Sequence, residues 1–97
     1  MTEKEKLLEE KLTARKSRLD NYFMDKYPSK TINGELFFQS SQGQVFTIGA
    51  FAYYGAIQIE YADSFEKANG GREDGDLFSI DMSETDMLQA ILKEIEG

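Results

Sequence analysis

Apolar residues recur at helical spacing over the first 27 residues of the chain and then give way to shorter alternating runs. The apolar stripe consists of Leu8, Leu12, Leu19 and Phe23, with Tyr22 and Tyr27 beside it. It predicts an amphipathic helix from Thr2 to about Tyr27, which Pro28 ends because proline disfavours helical backbone angles in the residue before it. Arg15 stands where a coiled-coil seam needs its next apolar residue, so no sustained heptad repeat is expected.

Three runs in the middle of the chain, at 35–39, 44–48 and 56–61, have the composition of β-strands. In the last of them Ile57, Ile59 and Tyr61 alternate with polar residues, which predicts one buried and one solvated face. Residues 40–43 predict a short hairpin loop, and Asn33-Gly34 predicts a tight turn after a short strand at 30–32. The segment 49–55 has a glycine at each end and is expected to reverse or bulge.

The last third of the chain begins with an acidic, glycine-rich segment and ends in a helix pattern. Residues 63–76 predict a mobile loop, because Phe65 is their one large apolar residue. A short strand at 77–80 leads to a helix that Ser83 caps, with Asp86 completing a capping box. Met82 and Met87 stand where a hydrophobic staple needs them, and an apolar stripe then continues down to residue 96.

This order of elements predicts one α+β domain over residues 1–97. We expect an antiparallel β-meander of about four strands, packed in two layers against an N-terminal and a C-terminal helix. A chain of 97 residues is too short to divide into two parts that each bury a sufficient core.

The composition lacks the side chains that do most chemistry near neutral pH. The chain contains no His and no Cys, which removes imidazole acid–base catalysis, thiol nucleophiles and the usual zinc ligands. We therefore expect no enzymatic activity and no cofactor. The absence of Cys suits a reducing compartment, residues 1–10 lack the pattern of a signal peptide, and the uncharged run 45–57 is too short to span a bilayer. These features predict a soluble cytoplasmic protein that does not enter a membrane.

The formal net charge of −7 is distributed unevenly along the chain. Residues 1–30 carry eight cations and six anions, a balance of +2, whereas residues 31–97 carry three cations and twelve anions, a balance of −9. An acidic body repels a nucleic-acid backbone and attracts basic partners over long range. The charge pattern therefore predicts a basic protein partner and no direct binding of nucleic acid.

The acidic segment 63–76 also permits a second interpretation, because divalent cations prefer carboxylate oxygens. An EF-hand does not fit: with Gly75 at the invariant sixth position, Gly70 and Arg72 fall where oxygen ligands are required. A small-ligand or divalent-metal-binding domain that uses this segment remains the alternative function. In the preferred interpretation, Asp74 and Asp76 contribute charge to a protein interface.

Four aromatic residues are candidates for that interface: Phe37, Tyr53, Tyr54 and Phe65. Phe37 shares a strand face with Glu35 and Gln39, so it is either covered by another element or exposed as an interface anchor. We expect a small acidic protein-binding module whose composition is analogous to that of toxin-neutralising immunity proteins and phage-encoded defence inhibitors. Its partner would be a basic, for example nucleic-acid-processing, protein. The apolar stripe of the first helix also allows self-association.

Overall fold

The computed structural model describes residues 2–97 as a five-stranded antiparallel sheet with one helix at each end of the chain. The elements are α1 (Glu3–Lys26), β1 (Ser29–Ile32), β2 (Glu35–Gln39), β3 (Val45–Phe51), β4 (Ala56–Ala62), β5 (Glu73–Ser79) and α2 (Glu84–Glu96). The strands lie side by side in chain order. This arrangement confirms the α+β meander and adds one strand to the predicted number.

Local signals place the ends of both helices. The Thr2 side chain accepts a hydrogen bond from the Glu5 amide at 3.1 Å, and Tyr27 leaves the helix in an extended conformation directly before the proline. The predicted cap of α2 is confirmed, because the Ser83 hydroxyl accepts from the Asp86 amide at 3.1 Å. Neither helix within residues 2–97 combines the length and the apolar character needed to cross a membrane.

Turn residues determine where the strands begin. Asn33 and Gly34 both have positive φ, 51° and 80°, as the two-residue turn of a β-hairpin requires. The Ser40 amide donates to the Gln44 carbonyl at 2.8 Å and closes the next hairpin. The chain reverses at residues 52–55 as expected, and β3 then pairs with β4 along its whole length.

The main core lies between the sheet and the two helices. Its buried members are Leu12, Leu19, Phe23, Tyr27, Phe38, Phe46, Ile48, Ile57, Ile59, Phe78, Ile80, Met87, Ile91 and Ile95. The apolar stripe of α1 is therefore part of the core, and it does not form a free surface for self-association.

A second, smaller core lies on the opposite face of the sheet. Phe37, Val45, Ala62 and Ala68 are its buried residues, and Ile32 and Phe65 pack against it. The prediction of one loop over 63–76 is therefore wrong in two respects. Part of this segment folds back over the sheet, where Ala68 is fully buried, and residues 73–76 belong to β5.

Candidate functional site

Phe37 is not available as an interface anchor, because its side chain is 0% exposed. The alternation pattern places it correctly on the face opposite Leu36 and Phe38. This face is covered by the turns that contain Phe65 and Ala68 rather than by a helix. Phe65, also predicted to contact a partner, is half-buried in the same cluster and acts mainly as this cover.

Arg72 holds the turns that contain Phe65 and Ala68 against the sheet, a role that the sequence alone did not indicate. Its guanidinium lies 5.0 Å from the centre of the Phe37 ring and donates two hydrogen bonds to the Glu35 carboxylate, at 2.7 and 3.0 Å. The second carboxylate near it, that of Glu60, is 3.8 Å away. Hydrogen bonding from Arg72 lowers the pKa of Glu35 below its ordinary value.

Tyr53 and Tyr54, which were predicted to contact a partner, are exposed at 92% and 58%. Their rings meet edge to face with centroids 5.1 Å apart, and the Tyr54 ring contacts that of Phe51 with centroids 6.2 Å apart. Two backbone hydrogen bonds of 3.1 Å, from Tyr54 to Phe51 and from Gly55 to Ala52, fix the turn. Phe51, Tyr53 and Tyr54 together form an ordered protrusion that we call the aromatic tip.

The aromatic tip has acidic neighbours on α1. A depression of about 330 Å³ beside Tyr53 is lined by Glu5, Leu8 and Glu9, together with Ala52. The exposed ring therefore lies beside two carboxylates, although these residues are far apart in the sequence. This combination of an apolar ring and negative charge suits a cationic or amphipathic side chain of a partner.

Asp74 and Asp76 are exposed on the edge strand β5, and Asp76 lies close to the Glu94 carboxylate of α2. Within residues 2–97, no three acidic side chains converge closely enough to hold a metal ion. Charged side chains on an edge strand also hinder pairing with the edges of other sheets. The two aspartates add negative charge to this side of the molecule without forming a common centre.

The backbone of β5 is anchored to α2 through Glu94. The Glu94 carboxylate accepts the Asp76 amide at 2.9 Å and the Tyr61 hydroxyl at 2.5 Å. Here the register between β4 and β5 shifts, and a Cβ on Gly75 would lie 2.7 Å from the Ile59 carbonyl oxygen. Burial raises the pKa of Glu94 and that of Tyr61. The contact fixes the acidic edge strand against α2.

Arg15 and Arg18 join α1 to the first turn of α2. Arg15 is buried and donates to the Met82 carbonyl at 3.2 Å, and Arg18 donates to the Glu84 carboxylate at 2.6 Å. These contacts explain why an arginine interrupts the apolar stripe of α1. They also give two cations of α1 partners within the protein.

No protein-family model, curated protein or solved structure matches this chain.

Proposed function

We propose that this chain is an acidic, non-enzymatic module that binds a basic protein through the aromatic tip and the neighbouring carboxylates of α1. The observation that carries the proposal is the 92% exposure of Tyr53 on a hydrogen-bonded turn. Tyrosine is enriched among the residues that dominate binding energy at protein interfaces. Because the turn is already ordered, docking a partner on it costs little conformational entropy.

The charge distribution supports a basic partner. Residues 31–97 carry a balance of −9, and one of their three cations, Arg72, already bonds Glu35. The remaining field is strongly negative and accelerates the approach of a positive surface over long range. Glu5 and Glu9 bring negative charge to the tip itself.

The composition supports a binding role rather than catalysis. A chain without His or Cys lacks the groups that most readily exchange protons or act as nucleophiles near neutral pH. We further propose a cytoplasmic location and an inhibitory role against a basic, for example nucleic-acid-processing, partner. The small size and acidity of the chain support the inhibitory role, and the absence of Cys supports the location.

The proposal is tested by recovering partners with matched versions of the chain. The wild-type protein, the Tyr53→Ala/Tyr54→Ala variant and a Tyr22→Ala control are immobilised in equal amounts, and the retained proteins are identified by mass spectrometry. Tyr22 is the control because it is an exposed tyrosine on α1, away from the tip. We expect the wild-type and control proteins to retain basic proteins that the tip variant does not retain. Retention of the same proteins by all three baits would contradict the role of the tip, and acidic partners would contradict the role of charge.

A further inference from the structure

The sheet contains a gap where the pairing between β2 and β3 ends, although β2 continues to Glu35. Pairing joins residues 37–39 of β2 to residues 45–47 of β3, whereas β4 pairs with β3 as far as Phe51. Within residues 2–97, positions 48–51 of β3 are therefore paired with β4 alone, and residues 34–36 line the other side of the gap. We call this gap the β3 notch.

Backbone hydrogen-bonding groups of β3 point into the notch. The Ser40 amide donates to the Gln44 carbonyl, which makes residues 40 and 44 a hydrogen-bonded pair. Such pairs alternate along an antiparallel ladder, so even-numbered residues of β3 direct their N–H and C=O groups towards the β2 side. Ala50, beyond the end of the β2 pairing, therefore presents a donor and an acceptor to the gap.

The notch is a cavity of about 510 Å³ with an excess of negative charge. Three carboxylates, from Asp20, Glu35 and Glu60, line it together with the cations Lys16 and Arg72. It shares Lys16, Asp20 and Leu36 with a second depression of about 350 Å³ that continues along α1. The two depressions are adjacent and together form a groove that leads from the notch along α1.

Asp20 lines the notch with one bonded and one unbonded carboxylate oxygen. Its Oδ2 bonds the Lys16 amine at 2.7 Å, but its Oδ1 is buried and has no hydrogen-bond partner. Burial raises the pKa of this carboxyl, as expected for an ionised group with too few partners. A cation in the adjacent groove stabilises the ionised form through space, without direct contact with Oδ1.

We propose that the β3 notch binds an extended basic segment of the partner, which adds a short strand beside Ala50 and places a Lys or Arg side chain near Asp20. Main-chain hydrogen bonds supply affinity in this mode of recognition, and alternate side chains supply specificity. Ala50 packs against the helix-facing core, so a side chain next to it on the added strand points to the same layer as Lys16 and Asp20. This inference rests on the proposed function and names the part of the partner that is recognised.

Three blocked pentapeptides serve as probes against the full chain labelled with ¹⁵N. They are Val-Lys-Val-Lys-Val, the same peptide with Glu in place of Lys, and the lysine peptide N-methylated on its backbone. With the first peptide, we expect amide shifts centred on residues 48–51 and a lower pKa for the Asp20 side chain. The glutamate peptide lacks the cation and the N-methylated peptide lacks backbone donors, so each should bind at least about threefold more weakly.

Protein variants test whether the lysine peptide interacts with the charge of Asp20. Asp20→Asn should weaken the lysine peptide by about threefold or more, whereas Asp25→Asn, an exposed aspartate on the same helix, should not change its affinity. Equal binding of all three peptides, or shifts that avoid 48–51, would overturn the inference. Shifts at 48–51 on concentrating the protein alone would show a second copy in the notch and would also overturn it. If a partner requires Tyr53 and Tyr54 but none of the peptides competes with it, the result supports the proposed function and contradicts binding in the notch.

Discussion

The burial of Phe37 predicts that Phe37→Ala destabilises the fold rather than an interface. The ring is 0% exposed and packs against Val45, Ala62 and Ala68. Phenylalanine-to-alanine changes in cores cost about 3–5 kcal/mol. The cover here is a turn segment that can partly collapse into the space, which favours a loss of free energy of unfolding at the lower end, about 3 kcal/mol. This loss includes the contact between Arg72 and the ring, which contributes about 0.5–1 kcal/mol.

Urea unfolding followed by circular dichroism measures this change directly. A small domain has an m value near the lower end of the usual range, about 1–1.5 kcal/mol/M, so a loss of 3 kcal/mol lowers the midpoint by about 2–3 M. Phe37→Leu keeps most of the volume and should cost less than about 1.5 kcal/mol. Tyr53→Ala, at a side chain 92% exposed, should stay within about 0.5 kcal/mol of wild type. If Phe37→Ala lowers the free energy of unfolding by less than about 1 kcal/mol, Phe37 does not belong to a second core and is again a candidate interface anchor.

Two further predictions concern carboxylates. Because burial raises the pKa of Glu94 above its ordinary 4.5, this group favours folding when it is protonated and loses that contribution as pH rises from about 4.5 through its folded-state pKa. The stability of Glu94→Gln relative to wild type should therefore improve between pH 4 and pH 7 in urea titrations; a difference that is constant or declines with pH would contradict the shift. Millimolar Ca²⁺ or Mg²⁺ should produce no site-specific rise in melting temperature. A clear rise that Asp74→Asn and Asp76→Asn together abolish would favour the metal-binding alternative.

Local signals made much of the fold predictable. The period of the apolar residues, Pro28, the Ser83 cap and the Asn33-Gly34 turn each act within a few residues, so α1, α2 and the hairpins could be identified from the sequence. The cover over Phe37 could not be identified, because it depends on a contact between β2 and a segment about 30 residues away. The early start of β5 was missed for a related reason. Glu73–Asp76 has the composition of a loop, and pairing with β4 and the Glu94 contact hold it as a strand.

The candidate site was predictable to a similar degree. The exposure of Tyr53 and Tyr54 follows from their position in a turn between glycines, which the sequence shows. Their proximity to Glu5 and Glu9 depends on how α1 crosses the sheet. The β3 notch depends on where β2 and β3 stop pairing, and the residues of either strand alone carry no signal for this point.

The central claim, recognition of a basic partner by an acidic module, is tested most directly by the salt dependence of association. The association rate constant of the wild-type chain with its purified partner should fall several-fold between about 0.01 and 0.15 M ionic strength, because screening shortens the range of the attracting charges. Tyr53→Ala should leave this salt dependence unchanged and raise the dissociation rate. An association rate that stays constant over the same range would contradict the account.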